Sequence, residues 1–267
     1  MMNFEPLQYT DFPFLEPFQP PGWGDLVPRF KYAIDSSFCR PYKLVIENTM
    51  VAIGTVIYHK NTAWLASIIT HPDHRKQGYG AAITKQLIDS IDRTKYETIS
   101  LDATDMGYPV YTKLGFELEG TYAHFKAAEN ITGVEQDIHV VPFEERFRQR
   151  LFELDRFATD EDRTDTLAEN ITSSKLYMEN GNVEGFYMPE LGNGLIIALN
   201  AEAGIALMKC RINNNYYGIL PSVNEAGKKF LEDCGLTQFR FSRRMLMGKK
   251  RNWKGNLMYN RISGQLG

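Results

Sequence analysis

Apolar and polar positions in the first half of the chain follow a period of two in several short stretches. Alternation over residues 42–47 and 51–58, separated by Asn48-Thr49-Met50, predicts a β-hairpin. A nearly continuous apolar run over residues 63–69 predicts a third strand beside it. Residues 26–36 instead place apolar side chains at helical spacing, so a helix is expected before the hairpin.

A second amphipathic pattern follows the third strand. Ile83, Leu87 and Ile91 recur every four residues with Ile88 beside them, which predicts a helix that packs one face on a sheet. Apolar residues alternate again over residues 98–103, which predicts another strand. Strand, helix and strand in this order indicate an α/β fold.

The segment between the third strand and this helix contains candidate chemistry. It reads His71-Pro72-Asp73-His74-Arg75-Lys76-Gln77-Gly78-Tyr79-Gly80-Ala81. Glycines let a ligand approach the main chain closely, and the free amides at a helix start attract an anion such as pyrophosphate. A Walker loop would end in Gly-Lys-Ser/Thr and a dinucleotide fingerprint would contain three glycines, so both fit poorly. A plain glycine turn with two surface cations is the structural alternative.

A strand, an Arg-x-x-Gly-x-Gly/Ala motif and an amphipathic helix together resemble the acetyl-coenzyme A loop of the GNAT superfamily of N-acetyltransferases. The segment Tyr111-Thr112-Lys113-Leu114-Gly115-Phe116 resembles the second signature of that family, and the resemblance spans residues 60–116. It implies acetyl-coenzyme A as co-substrate. The implied binding residues are the main-chain groups of Ile68, Ile69 and Thr70, together with Arg75, Lys76, Gln77, Gly78, Tyr79, Gly80 and Ala81.

The resemblance also implies a catalytic residue. Tyrosine at the place of Tyr111 commonly protonates the leaving thiolate in this family. Many members have an asparagine that contacts the cofactor seven residues earlier, and this chain departs from the family pattern with Thr104 there. Residues 62–70 contain no carboxylate to act as the general base. His71, Asp102 and His124 are candidates, although each is also an ordinary cap or hydrogen-bond partner, and a water chain could replace them.

After a polar stretch over residues 126–137, the second half of the chain repeats the order of elements faintly, so a domain boundary is expected near residue 136. Residues 143–170 are expected to be largely helical. Strands are expected near 176–178, 183–188 and 216–220, and helices over 201–212, with Asn200 as N-cap, and over 224–234. Cys234-Gly235-Leu236 echoes Leu114-Gly115-Phe116. The stretch from Leu101 to Tyr111 also resembles a subgroup of two-domain GNAT proteins whose second half is a diverged copy of the fold. With the faint repeat, this resemblance implies tandem GNAT folds with mixed sheets, as residues 1–135 and a diverged copy over residues 136–267.

The second copy lacks the cofactor motif, because no Arg-x-x-Gly-x-Gly/Ala occurs in residues 137–267. The triplet Gly192-Asn193-Gly194 precedes an apolar strand rather than a helix. This half is expected to bind no coenzyme. A role in acceptor binding or in support of the fold would explain why a copy without coenzyme is retained. Its last part is rich in cations, which are expected to form a solvated strand face and tail: Arg240, Arg243, Arg244, Lys249, Lys250 and Arg251.

Trp23 is the candidate acceptor-binding residue. It lies in the turn Gly22-Trp23-Gly24-Asp25, before the first helix. The aromatic ring could cover an acceptor or could pin the loop by packing, and both readings stay open. The family resemblance favours the acceptor site, because the first helices border it there.

Composition narrows the function further. The chain has 267 residues, enough for two domains. Its net charge of −3 does not favour binding to nucleic acid. Three separated cysteines indicate neither a disulfide framework nor a zinc site. The sequence contains no signal-peptide pattern and no apolar run long enough to span a membrane, so a cytoplasmic protein is expected.

Together these features predict an acetyl-coenzyme A-dependent N-acetyltransferase. Its acceptor would be a primary amine of a small molecule or peptide, attacking the thioester directly, with no metal involved. Two alternatives come from other classes: a coenzyme A-binding sensor without turnover, and an interaction protein whose second half is the functional part. Retention of both signatures in the first half favours the enzyme.

Overall fold

The computed structural model of the chain describes residues 2–213 and 215–266. The contacts divide the chain into two units. The first unit comprises Met1–Glu117 with Leu246–Lys249 and Gly264–Leu266, and the second comprises Leu118–Met245 with Lys250–Ser263. The sequence pattern predicts a boundary between two repeats near residue 136. That boundary stays a prediction.

The first 113 residues contain β1 (Met2–Pro6), α1 (Leu26–Asp35), β2 (Cys39–Ile46), β3 (Thr49–Tyr58), β4 (Thr62–Thr70), α2 (Tyr79–Asp89), β5 (Thr98–Ala103) and α3 (Tyr108–Lys113). The predicted hairpin, third strand, both helices and the strand at 98–103 are therefore confirmed. The strand β1 was not predicted, and short 3-10 turns follow it.

The remaining residues contain β6 (Glu117–Ile131), β7 (Val140–Pro142), α4 (Arg148–Thr159), α5 (Thr164–Ala168), β8 (Lys175–Glu179), β9 (Asn182–Met188), β10 (Leu195–Ala198), α6 (Ala201–Ile212), β11 (Asn215–Pro221), α7 (Glu225–Asp233), β12 (Thr237–Gly248) and β13 (Met258–Asn260). None of the helices in the described ranges combines the length and apolarity needed to cross a bilayer.

The first unit is built on a sheet with helices on both faces. Strands β1 to β4 are antiparallel neighbours, and β5 runs parallel to β4. Phe30 of α1 packs in one cluster with Ile53 of β3. On the next residue of β3, a Cβ added to Gly54 would lie 2.7 Å from Leu87 Cδ1 of α2. Successive strand residues face opposite sides, so α1 and α2 cover opposite faces.

The second unit repeats a strand, helix and strand in β10, α6 and β11. Asn200 caps α6, and its side chain accepts a hydrogen bond from the Ala203 amide at 2.9 Å, as predicted. Strands β7, β8, β9, β10 and β13 form one antiparallel sheet. Strands β6 and β11 pair antiparallel, with β12 on the other side of β6.

The short strand β13 lies between β10 and β11. Ile196 of β10 pairs with Asn260, whose Oδ1 accepts a hydrogen bond from the Ile219 amide of β11 at 3.0 Å. The Arg261 amide donates to the Ile219 carbonyl at 3.0 Å. Beside it, the Tyr259 ring lies so close to α6 that a Cβ on Gly204 would meet it at 2.3 Å. The chain itself therefore fills the space between these two strands.

One cation predicted to be solvated is buried. Arg244 has no exposed surface, and its guanidinium donates to carboxylate oxygens of Glu119 and Glu161 and to the Tyr122 hydroxyl. The expectation of a solvated strand face is wrong for this residue. The alternation of β12 turns Arg244 inward, and two buried carboxylates compensate its charge.

We expect Arg244→Met to lower the free energy of unfolding of the second unit by about 3–5 kcal/mol, because it leaves two buried carboxylates without their cation. Urea denaturation measures the effect. Lys229→Met is the control, because the Lys229–Asp233 pair is exposed and solvent screens it, so this substitution should leave stability nearly unchanged. Equal effects of the two substitutions would contradict a structural role for the buried cluster.

Candidate functional site

The end of β4 contains a β-bulge. Ile53 pairs with Ile69 but Thr55 pairs with Ala66, so β4 has one more residue than β3 in this interval. Ser67 lies in it with a φ of 51°, a conformation that a non-glycine residue rarely adopts. Pairing of β4 with β5 ends at Leu65 and Leu101, before the bulge.

The bulge also changes which face each side chain takes. Before it, Trp64 and Ala66 pack in one cluster with Ala33 of α1. After it, Ile69 packs with α1, and Ile68 lies near Gly54 on the α2 side. A regular strand would have kept even positions on the α1 side. The bulge therefore reverses the facing of the last residues of β4, which lie beyond the part of the strand that pairs with β5.

The glycine loop ends in a helix start with free amides. Gly78 has a φ of 88° and forms the N-cap of α2 without a side chain to bond the first turn. The first helical bond runs from the Ala82 amide to the Gly78 carbonyl at 3.0 Å. The amides of Tyr79, Gly80 and Ala81 precede that bond, so they are the orphan donors of the helix start. Such a group of amides binds anions.

The second glycine lies against the end of β4. A Cβ added to Gly80 would be 3.3 Å from Thr70 Oγ1, and Thr84 Oγ1 donates to the Gly80 carbonyl at 2.6 Å. The orphan amides of residues 79–81, called here the amide row, therefore adjoin the same strand end as the bulge. Arg75 and Lys76 are exposed on the loop, where they add positive charge.

Other residues of the loop hold its shape. His71 Nδ1 accepts a hydrogen bond from the Asp73 amide at 3.2 Å, and its ring packs edge-on against Phe18. Gln77 donates from its side-chain amide to the Asp73 carbonyl at 3.3 Å. Lys76 has a φ of 62°. His71 is thus observed as a cap of the turn.

Tyr111 lies on α3, after β5. A Cβ on Gly107 would be 2.7 Å from Tyr111 Cε2, and the Phe116 ring lies 6.0 Å from the Tyr111 ring. Burial, and then the negative charge of Asp102, raises the pKa of the Tyr111 phenol above its usual value of 10.0. The phenol therefore keeps its proton at neutral pH, so it can donate but cannot act as a base.

Comparison with known proteins gives a match over the part of the chain that contains this site. Residues 42–118 match the family model of the acetyltransferase (GNAT) domain. That stretch of the chain therefore has the sequence features of a GNAT domain. A comparison with curated proteins gives no match.

Solved structures extend the likeness to the whole chain. A candidate acetyltransferase from Pyrococcus horikoshii is 20% identical with a TM-score of 0.80, over 100% of this chain and 96% of that one. A GCN5-related N-acetyltransferase from Anabaena variabilis has a TM-score of 0.61 at 12% identity, over 92% and 72% of the two chains. A tandem GNAT protein from the clavulanic acid biosynthesis pathway has a TM-score of 0.61 at 12% identity, over 93% and 98%. The predicted tandem GNAT fold is confirmed.

Trp23 has contacts that explain its position without a ligand. Its ring is half-buried against the cluster of Phe18, Leu26 and Phe30, and the Arg29 guanidinium lies 5.3 Å from the ring centre. The Gln19 side chain donates to the Trp23 carbonyl at 3.0 Å. Its role in acceptor binding stays a prediction.

The candidate bases have different surroundings. His124 belongs to the second unit, where it is buried and bonded to Ser242 at 2.9 Å. Burial, then Arg261 and Arg240, lowers the pKa of His124 to about 3, so its ring is neutral. Asp102 is near enough for its charge to raise the pKa of Tyr111. Among the described residues no group of three or more His, Cys, Asp or Glu could hold a metal ion.

Ser67 and Gly107 were not among the residues predicted for the site. Ser67 is the one polar residue inside the apolar run at 63–69, and this interruption is the local signal at that position. Gly107 precedes the signature that contains Tyr111 by four residues, one helical turn, and its missing Cβ makes room for the phenol ring. Neither signal identifies the feature without the partner strand or ring.

We expect Gly78→Ala to lower the free energy of unfolding by about 1 kcal/mol, because its left-handed φ opposes a Cβ. Thermal unfolding measures the loss. Gly24→Ala is the control, because Gly24 has neither a left-handed φ nor a close neighbour for the added Cβ. A Gly78→Ala protein as stable as this control would mean that the helix start adapts, and the amide row would not depend on glycine.

Proposed function

We propose that this protein is an acetyl-coenzyme A-dependent N-acetyltransferase whose reaction occurs in the first unit. The main support is one juxtaposition. The orphan amides that begin α2 adjoin the end of β4, where the bulge lies and pairing with β5 has ended. The GNAT domain matched at residues 42–118 contains all of these features.

Cofactor binding follows from the chemistry of the loop. The pyrophosphate of acetyl-coenzyme A takes the amides between Lys76 and Ala81, where the helix start favours negative charge. Arg75 and Lys76 add attraction from exposed positions. The main-chain groups of residues 68–70 lie beyond the last pair of β4 with β5, and they hold the pantetheine arm and the thioester carbonyl.

The proposed reaction is a direct attack. The neutral acceptor amine attacks the thioester carbonyl carbon, its N–C bond forms, and the C–S bond then breaks. Tyr111 gives its phenolic proton to the departing thiolate, for which its raised pKa keeps it protonated. The amine loses a proton to water or to a base, for which His71 and Asp102 of the first unit are candidates. Polarisation of the carbonyl by main-chain amides stabilises the charge that develops on oxygen.

We also propose that the second unit holds no coenzyme. Its β10, α6 and β11 correspond in order to β4, α2 and β5, and β13 occupies the space between the two strands. The turn at Gly192 to Gly194 precedes β10 instead of a helix. A Cβ on Gly192 would lie 2.3 Å from the Ile262 carbonyl oxygen, so the glycine accommodates the chain itself.

The acceptor is proposed to be a primary amine of a small molecule or peptide. Release of free thiol from acetyl-coenzyme A, measured against amines, amino acids and short peptides, tests the function as a whole. Amine-dependent thiol release supports the enzyme. Tight binding of acetyl-coenzyme A with no release for any amine would support a sensor instead.

Gly80→Asp should weaken acetyl-coenzyme A binding by about tenfold or more, because a carboxylate would face the phosphates. Calorimetry on the folded variant measures the affinity. Gly80→Ala is the matched control, because its Cβ would approach only the Thr70 hydroxyl, at 3.3 Å, and a small loss is expected. Unchanged affinity in the Asp variant would remove the basis for the cofactor site.

Tyr111→Phe should lower kcat by about 100-fold and leave cofactor affinity nearly unchanged, because proton donation acts in the transition state. A raised phenol pKa means that the acid form persists until the pH passes that pKa, above the usual value of 10.0. The ratio of wild-type to variant kcat should therefore stay constant between about pH 7 and about pH 10. A ratio that collapses within this range would contradict a buried phenol acid, and a ratio near one would leave Tyr111 a packing residue.

A further inference from the structure

A small pocket lies between α1 and the bulge of β4. Its polar lining comes from Arg29, Tyr32, Thr55, Ser67 and Gln265. Gln265 belongs to the segment Gly264–Leu266, which is part of the first unit although it is distant in sequence. The pocket therefore adjoins the bulge where the thioester carbonyl is proposed to bind, on the face of the sheet that α1 covers.

Arg29 is the charged group of this pocket. It is half-buried, and burial lowers the pKa of its guanidinium. Within the described part of the chain Arg29 forms no ion pair. Its guanidinium carbon lies 5.3 Å from the centre of the Trp23 ring. A guanidinium that has lost water without gaining a carboxylate is a favourable site for an anion.

The Gln265 side chain shows where such an anion would sit. In the orientation that satisfies the surrounding hydrogen bonds, its amide oxygen accepts from Arg29 Nε at 3.0 Å and from Nη1 at 2.6 Å. The same oxygen accepts from Ser67 Oγ at 2.7 Å. Arginine binds carboxylates through paired donors in this manner. The carboxamide oxygen thus takes a position suited to a carboxylate oxygen.

We propose that Arg29 and Ser67 bind the carboxylate of the acceptor, so the acceptor is an amino acid, or a close analogue whose amine and carboxylate are near neighbours. The inference rests on the proposed function. Ser67 lies in the bulge itself, so a carboxylate bonded to its hydroxyl places an amine a few bonds away beside residues 68–70. Gln265 occupies the carboxylate position until the acceptor replaces it.

Matched acceptors with and without the carboxylate test this proposal. Alanine, leucine, phenylalanine and lysine would be compared with the amines that lack the α-carboxylate, by thiol release from acetyl-coenzyme A. We expect kcat/KM to be at least about tenfold higher for an amino acid than for its amine. Arg29→Gln should remove this preference by raising KM for the amino acid, so that the ratio of the two kcat/KM values approaches one.

Substitutions of Gln265 give a second test that leaves Arg29 in place. Gln265→Glu puts a carboxylate beside the guanidinium, so KM for the amino acid should rise by about tenfold or more while KM for the amine stays constant. Gln265→Ala removes the competing group and should lower KM for the amino acid. Equal responses of amino acid and amine to both variants would overturn the proposal.

Binding of the product separates this proposal from the proposed function. Calorimetry with N-acetylphenylalanine and N-acetylphenethylamine, in the presence of coenzyme A, needs no turnover. Tighter binding of the carboxylate compound by wild type, lost in Arg29→Gln, supports the site even without thiol release. Thiol release with equal binding of the two compounds would contradict the carboxylate site and leave the acetyltransferase proposal standing.

Discussion

The extra residue in β4 is the constraint on which the first unit depends. An antiparallel strand with one more residue than its neighbour must bulge, and Ser67 absorbs the difference in a left-handed conformation. From that point the side chains change faces and the pairing with β5 has already ended. Free main-chain groups, the helix start at Gly78 and the Arg29 pocket all adjoin the strand end that results.

The second unit has the same order of elements with a different outcome. Its β10 pairs with β13 through Asn260, whose side chain also bonds β11 and the carbonyls of Asn193 and Gly194. These bonds satisfy backbone groups that a ligand would otherwise have to satisfy. A strand supplied by the chain itself therefore takes the place of an open strand end, and this physical difference accompanies the loss of the glycine motif.

Local periodicity was enough to predict most of the elements near the candidate site. Each of these elements, namely the hairpin, β4, α2 and β5, has its own periodic pattern of apolar side chains. That pattern can be recognised without knowing what the element packs against. The amide row also followed from the sequence, because glycine spacing at a helix start is a local property. The tandem fold was predicted from resemblance and not from periodicity.

Features that depend on a partner far along the chain were not predictable in the same way. Arg244 appeared as one of several cations, and its burial depends on Glu119 and Glu161, many residues away. Gln265 approaches Ser67 and Arg29 only because the chain returns to the first unit. β13 is short, and its place between β10 and β11 follows from tertiary hydrogen bonds that no pattern in residues 258–260 indicates.

A crystal structure of the full chain with coenzyme A tests the central claim most directly. The account predicts the pyrophosphate on the amides between Lys76 and Ala81, and the pantetheine arm along the main chain of residues 68–70. It also predicts that the space between β10 and β11 stays filled by β13. A coenzyme bound in the second unit, or bound in the first unit away from the start of α2, would contradict it.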